Sequence, residues 1–541
     1  MISAIRPDLT QSPWSKRPAS TQPSLAPAPA VDVVALSGTQ PAEDAPSKRS
    51  WTVGLTCGVM AALSLVGAVG CGAARPAADA SRSTSTTRTD EQPPVTFHGQ
   101  RETRLFGNGG SLLPDNAGEI KHMAFQYGNV EFDKPLPGET AANLRGMYRT
   151  LFLNMSPDTR FTIVAANTAG ETELRALVAS SGMEDPERVQ IINLEAQKGI
   201  SIWIRDSMIP VRDADGSWKL LIQDRTYWPG PEDNRVPAII GEQADGMRAV
   251  DHPALRIDGG NMVSTRSIAF IGNDSFQHTT DRLKELAQDP ARRAEIIEFF
   301  ENQTGKDVIE SGQPGAGQVT VEQMWGQIAP EVFKSEFRRE IFEIGTDDPN
   351  TAIKETQPVF HIDMGLTPTA DPNTFVVGDP NLAIRTLEAL SPAERAQVNR
   401  EMAEAAGLPA DKDVISDLIG VNTDEQQTAN FENVARQMRE AGYNVVRVPF
   451  LTGVRTTWRL PYLTYNNSLQ EVYTNAQGQQ VRKIYLPVYG ARPLDEMATR
   501  TYQSLGYEVV PVQMAAVSKL EGAIRCSAYP VQRTSVPYTG R

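Results

Sequence analysis

Residues 120–128 (IKHMAFQYG), 160–166 (RFTIVAA) and 189–194 (VQIINL) are short apolar runs rich in β-branched and aromatic residues. The segments between them, 139–154 and 171–181, carry apolar residues at helical spacing instead. A short apolar run bounded by turn signals reads as a buried strand, and a longer 3.6-period segment as an amphipathic helix. Strands alternating with helices at this spacing predict an α/β class, built from short repeated β–α units. The alternation continues outward. Residues 202–211 follow the third strand, and 254–257, Asp258-Gly-Gly-Asn261 and 267–272 predict a hairpin-like pair. Further strands are expected at 358–363, 374–378, 443–449, 483–487, 508–512 and 522–529. Helices are expected near 387–406, 426–441 and 494–506. Residues 279–342 are helix-rich and charged without a sustained heptad seam, which predicts an inserted helical lobe.

Composition bounds the chemistry. The chain has 541 residues, 40% hydrophobic and 22% charged, enough to bury a large core. A net charge of −14 argues against a broad basic face for nucleic acid. Three cysteines exclude a disulfide scaffold and CxxC zinc modules, and five histidines leave little for a multi-histidine metal site.

The first hundred residues differ from the rest. Residues 1–50 are rich in Pro, Ala and Ser, with no hydrophobic period, and read as disordered. Lys48-Arg49 then precede WTVGLTCGVMAALSLVGAVG, a run from Trp51 to Gly70 without a charge. Twenty such residues in a helix reach about 30 Å, the hydrocarbon thickness of a bilayer. The run ends at Gly70-Cys71, and residues 51–71 resemble a bacterial lipoprotein signal with Cys71 as the lipidated residue. Residues 72–105 read as a flexible linker and 106–541 as the globular domain. Export or anchoring in the cell envelope is the expectation, with membrane contact through 51–71.

Within the globular part, several short motifs carry reactive groups. Cys526 is its one cysteine; a lone cysteine is ordinarily a small buried hydrophobe. Trp203-Ile-Arg-Asp206 suits a capped strand end, and Asp258-Gly-Gly-Asn261 a turn in which Gly and Asn supply positive φ. His361-Ile-Asp363, if a strand, places two polar side chains on one face. Singly, each motif is weak.

In this order and context, however, the motifs resemble the guanidino-group-modifying (pentein) enzymes, which include agmatine, peptidylarginine and arginine deiminases. The resemblance covers most of residues 115–531 and includes Tyr465–Ser468 (YNNS), LPVYG at 486–490 and GAIRC at 522–526. It implies a five-bladed α/β propeller of ββαβ-like units, interrupted here by the helical lobe. By the same resemblance, Cys526 is the nucleophile, His361 the general acid/base, and Asp206 and Asp363 the two acids that bind the guanidinium. Asp258, Trp203 and Asn467 are expected at the substrate. A guanidinium is planar and cationic with five N–H donors, which carboxylates accept in bidentate fashion. Its resonance-stabilised carbon resists water, so a thiolate attacks it and a histidine moves the protons.

The implied reaction is hydrolytic deimination, with peptidyl-arginine ahead of agmatine or free arginine, and no metal or other cofactor. Two places depart from the pattern of agmatine deiminases: Met364 follows Asp363 where Glu is usual, and Glu-Gly-Ala-Ile-Arg precedes Cys526. Amidino transfer, dimethylarginine hydrolysis, a non-catalytic guanidinium-binding module and an unrelated cysteine hydrolase stay open as alternatives. Calcium is not indicated: Asp347-Asp348-Pro349-Asn350 lacks the spacing of an EF-hand loop.

Overall fold

Five sheets repeat one pairing pattern in the computed structural model, which describes residues 104–131, 134–223, 229–454 and 460–534. In each, a first strand pairs antiparallel with a second, and the second pairs parallel with a third reached through a helical crossover. One sheet runs Ile209–Arg212, Trp218–Gln223, Met247–His252, and the next Met262–Ser264, Ile268–Gly272, Glu340–Ile344. A third runs Leu366–Pro368, Thr374–Asp379, Asn444–Leu451, and a fourth Leu469–Thr474, Gln480–Val488, Glu508–Gln513. The remaining sheet joins distant parts of the chain. Its first strand, Ala528–Arg533, pairs antiparallel with Ile120–Tyr127, which pairs parallel with Arg160–Ala165. The fold is mixed α/β, with strands that run parallel only where a helix has carried the chain back.

Local sequence explains where the crossovers begin. Asn167 caps Thr168–Ser180 by accepting from the Gly170 amide at 3.0 Å. Asp379 caps Pro380–Glu388 at 2.8 Å from the Leu382 amide, with proline pre-setting the first turn. Ser391 and Glu394 form a capping box on Pro392–Ala406. Between these ends the buried helix faces, such as Leu144, Leu151 and Phe152 of Gly138–Asn154, pack on Phe125 and Phe161 of the sheet beneath.

Residues 279–342 are helix-rich and form most of an enlarged crossover between Ile268–Gly272 and Glu340–Ile344. Its helices Asn273–Leu286, Pro290–Thr304 and Ile328–Phe337 bury Leu283, Phe300 and Phe333 in a cluster shared with the adjoining sheet. Two strand expectations shift. The strand expected at 358–363 is absent. His361 lies in extended backbone before a 3-10 turn at Ile362–Met364, so His361 and Asp363 do not share a strand face. Likewise 254–257 is not a strand, and the hairpin forms after Asp258-Gly-Gly-Asn261 rather than around it.

The segments 1–50 and 51–71, Cys71, and all but the end of 72–105 lie outside the described residues. Among the described residues, no helix is long and apolar enough to cross a membrane.

Candidate active site

Every reactive residue named from the sequence, apart from Cys71, lies in a turn just before the first strand of a sheet. Trp203 and Asp206 precede Ile209–Arg212, Asp258 precedes Met262–Ser264, and His361 and Asp363 precede Leu366–Pro368. Asn467 precedes Leu469–Thr474, and Cys526 precedes Ala528–Arg533. One repeated position thus supplies all of them, and the fold gathers Cys526, His361, Asp206, Asp258, Asp363 and Asn467 into a connected cluster.

His361 lies between two carboxylates. Its Nε2 stands 3.2 Å from Asp258 Oδ2 and its Nδ1 3.8 Å from Asp206 Oδ1. Burial would push the imidazolium down, yet Asp206, hydrogen bonds to Asp258 and to the Cys526 thiol, and the Asp258 charge together hold it well above the usual histidine value. The turn that carries Asp258 fits closely around the ring. A Cβ on Gly260 would sit 2.4 Å from His361 Nδ1, so any side chain there would displace the ring. The glycine's φ is not positive, which differs from the expected turn chemistry. Asn261 ties the two segments together, accepting from the Ile362 amide at 3.1 Å while its Nδ2 donates to Ser275 Oγ at 2.8 Å.

Cys526 belongs to the one-turn helix Ile524–Ser527 and is 4% exposed. Its thiol is pushed above the usual range by burial and by the Asp363 charge, against which the hydrogen bond from His361 works. Asn467 lies directly against the Cys526 turn. It is fully buried; its Oδ1 accepts from the Arg525 and Cys526 amides at 2.9 and 3.3 Å, and its Nδ2 lies 3.3 Å from Sγ. Met364 Sδ closes the other side at 4.0 Å.

Asp363 lies against two arginines. It is fully buried, and its Oδ2 accepts from Arg525 Nε at 3.1 Å with Arg205 Nε at 3.3 Å. Its Oδ1 is buried with no hydrogen-bond partner among the described residues. Behind it, Asp115 Oδ1 lies 2.6 Å from Arg525 Nη1 and 3.5 Å from Arg205 Nη2. Burial would raise the Asp115 carboxyl, but the two arginines hold it down at about 2. Two arginines and two aspartates therefore form a neutral buried quartet under the thiol. Sequence reasoning missed Asp115, whose loop carries no motif, and gave Arg205 and Arg525 no role although both stood in quoted motifs.

Trp203 anchors the edge of the site. Its indole N–H donates to both oxygens of Glu131, at 3.0 and 2.9 Å. A Cβ on Gly522 would meet its ring at 2.3 Å, so that glycine lets the Cys526 turn pack against the indole. No group of three or more His, Cys, Asp and Glu among the described residues is placed to hold a metal ion.

The cluster offers a nucleophile, a charged proton donor, and carboxylate oxygens facing them.

No family model and no curated protein sequence matches the chain. Among solved structures it is similar to the agmatine deiminase of C. jejuni, at 12% identity and a TM-score of 0.43, covering 79% of this chain and 98% of that one. It is similar to the agmatine deiminase of Enterococcus faecalis at 13% identity and a TM-score of 0.42, with the same coverage. It is also similar to the inosamine-phosphate amidinotransferase StrB1 of Streptomyces griseus, at 10% identity and a TM-score of 0.33, again covering 79% and 98%.

Proposed function

We propose that this chain hydrolyses a guanidinium group, releasing ammonia and leaving a ureido product. The observation that carries the reading is the contact between His361 and the Cys526 thiol, with Asp206 and Asp258 on either side of the imidazole. In this reading the five sheets are the blades of a five-bladed propeller, with the turns before their first strands meeting at its centre.

The substrate cation lies against Asp206 and Asp258, with the open Oδ1 of Asp363 as a further acceptor. Its charge replaces the anionic surroundings that hold the thiol proton, so the thiolate forms as the substrate enters and the proton leaves to solvent. Sγ adds to the guanidinium carbon, His361 gives its proton to a departing nitrogen, and ammonia leaves. The neutral imidazole then takes a proton from water, the hydroxide adds to the thiouronium carbon, and the C–S bond breaks. Asn467 holds Cys526 throughout by its backbone amide. The thiol and imidazole are both buried, which suits a thin guanidinoalkyl chain: an arginine side chain, with agmatine and free arginine as the comparison substrates. Export or envelope anchoring through 51–71, with Cys71 lipidated, belongs to the same proposal and is tested by fractionating cells that express the full chain and its Cys71→Ala variant.

The deciding experiment offers agmatine, free arginine, an arginine peptide blocked at both ends and dimethylarginine to the purified protein, with and without calcium. Ammonia together with a ureido product from any of them supports the proposal. Labelling of Cys526 by a haloacetamidine without ammonia from any substrate would favour amidino transfer instead.

A further inference from the structure

A pocket of about 440 Å³ opens between residues 111–114, the hairpin turn at 212–218, Arg338 and Arg339, and Arg533 of the closing strand. Its charge runs against that of the chain. Arg212, Arg338, Arg339 and Arg533 line it against only Asp213 and Asp215, in a protein of net charge −14. Asp213 pairs chiefly with Lys219 at 2.6 Å and Arg248 at 3.1 Å, its Oδ1 also lying 3.8 Å from Arg338 Nη2, and Asp215 is exposed, accepting from the Ser217 amide at 2.8 Å, so the arginines remain in excess.

Arg533 is the decisive group. It is 4% exposed, and its Nη1 donates to the carbonyls of Ala117, Gly118 and Gln470 at 3.3, 3.3 and 2.9 Å. Its Nε and Nη2 donate to no described residue, and no carboxylate of the described chain pairs with it. Burial pulls its guanidinium down to about 10. Asp115 and Glu471 favour its charge only from beyond ion-pair distance, so the buried cation is incompletely balanced, and an anion entering the pocket lowers the cost of keeping it there. Its neighbours are held in place. Arg339 donates to the Leu112 carbonyl at 2.7 Å and to Ser111 Oγ at 2.8 Å, and Arg338 adopts a left-handed φ of 50° beside the cavity. Arg212 donates to the Gly216 carbonyl at 3.3 Å while lying 5.5 Å over the Trp218 ring.

One planar carboxylate is satisfied by a single guanidinium fork, whereas guanidinium groups from three separate parts of the chain suit an acceptor with oxygens in several planes. We propose that this pocket binds a phosphate group, as inorganic phosphate or as the head of a small phosphate monoester. The site is separate from the guanidinium chemistry and does not depend on it.

Calorimetric titration of the full chain at constant ionic strength tests the assignment, with inorganic phosphate, glycerol 2-phosphate and succinate as probes. One equivalent of a phosphate probe binds, succinate binds more weakly, and Arg338→Gln or Arg212→Gln weakens the phosphate interaction roughly tenfold each, as loss of a charge-assisted contact requires. Both arginines are partly exposed, so these variants fold. Phosphate also raises the melting temperature of the wild type more than that of Arg338→Gln. Tighter binding of the monoester would identify a phosphorylated metabolite, and tighter binding of inorganic phosphate the free ion. Failure of both phosphate probes to bind, succinate binding as tightly as phosphate, or undiminished phosphate binding in the two variants would overturn the proposal.

Discussion

Arg525, the residue before the candidate nucleophile, donates from Nε to Asp363 Oδ2 at 3.1 Å, so the chain's own guanidinium occupies one oxygen of a carboxylate expected to hold a substrate's. Under the proposed function, the negative field that meets a substrate cation comes chiefly from Asp206 and Asp258, with Asp363 half committed to structure. The buried quartet couples the thiol's position to electrostatic balance beneath it.

Asp115→Asn should show that coupling. It leaves Arg205 and Arg525 sharing Asp363 alone in a buried site, and removing one partner of such a network costs about 3–5 kcal/mol. Urea denaturation measures the loss; a change within about 0.5 kcal/mol, the range of ordinary surface substitutions, would mean the quartet contributes little.

Cys526→Ala removes the thiol and keeps the packing of Asn467 on the Arg525 amide. Turnover should vanish while guanidinium affinity, read by calorimetry, and melting temperature stay close to wild type. Activity near wild type would remove Cys526 from the mechanism.

Gly260→Ala places a methyl 2.4 Å from His361 Nδ1 at a backbone position that tolerates alanine. The fold should survive and the imidazole should move. A displacement on the order of 1 Å costs roughly a hundredfold in rate, so kcat should fall far more than KM rises. Equal kcat values in the two proteins would show that the ring position does not matter.

His361 gives a pH signature. Its folded value lies above the ordinary 6.5, so its contribution to stability is fully present below about 6.5 and is lost as pH rises through the folded value. The stability difference between wild type and His361→Gln should therefore shrink toward alkaline pH. A difference that grows with pH would reverse the assignment.

The thiol should be sluggish when the site is empty. Because burial and Asp363 push Cys526 above its ordinary 9.0, alkylation by neutral iodoacetamide should rise with a midpoint above that pH. A haloacetamidine, which brings its own positive charge, should react at lower pH. Matching pH profiles for the two reagents would contradict thiolate formation on cation entry.

Much of this was legible in the sequence because strand and helix periods are local. The runs at 120–128, 160–166 and 189–194 form strands within a residue or two of the expected bounds. The failures are non-local. His361 looks like a strand residue, but the Asn261 side chain holds the Ile362 amide and draws the backbone into a turn. Asp115 has no local pattern, because its partners are Arg205 and Arg525, far along the chain. The hydrogen bonds of Asn467 to the Cys526 turn are likewise invisible in the sequence, because only the assembled sheets bring the two alongside.

The pairing of Ala528–Arg533 with Ile120–Tyr127 also sets an order of events. During synthesis, Asp206, Asp258, His361 and Asp363 all emerge from the ribosome before Cys526. The candidate nucleophile arrives immediately ahead of the strand that docks on Ile120–Tyr127. Under the proposed function, a chain interrupted before that point lacks the candidate nucleophile, and reactivity begins only when the last sheet is joined.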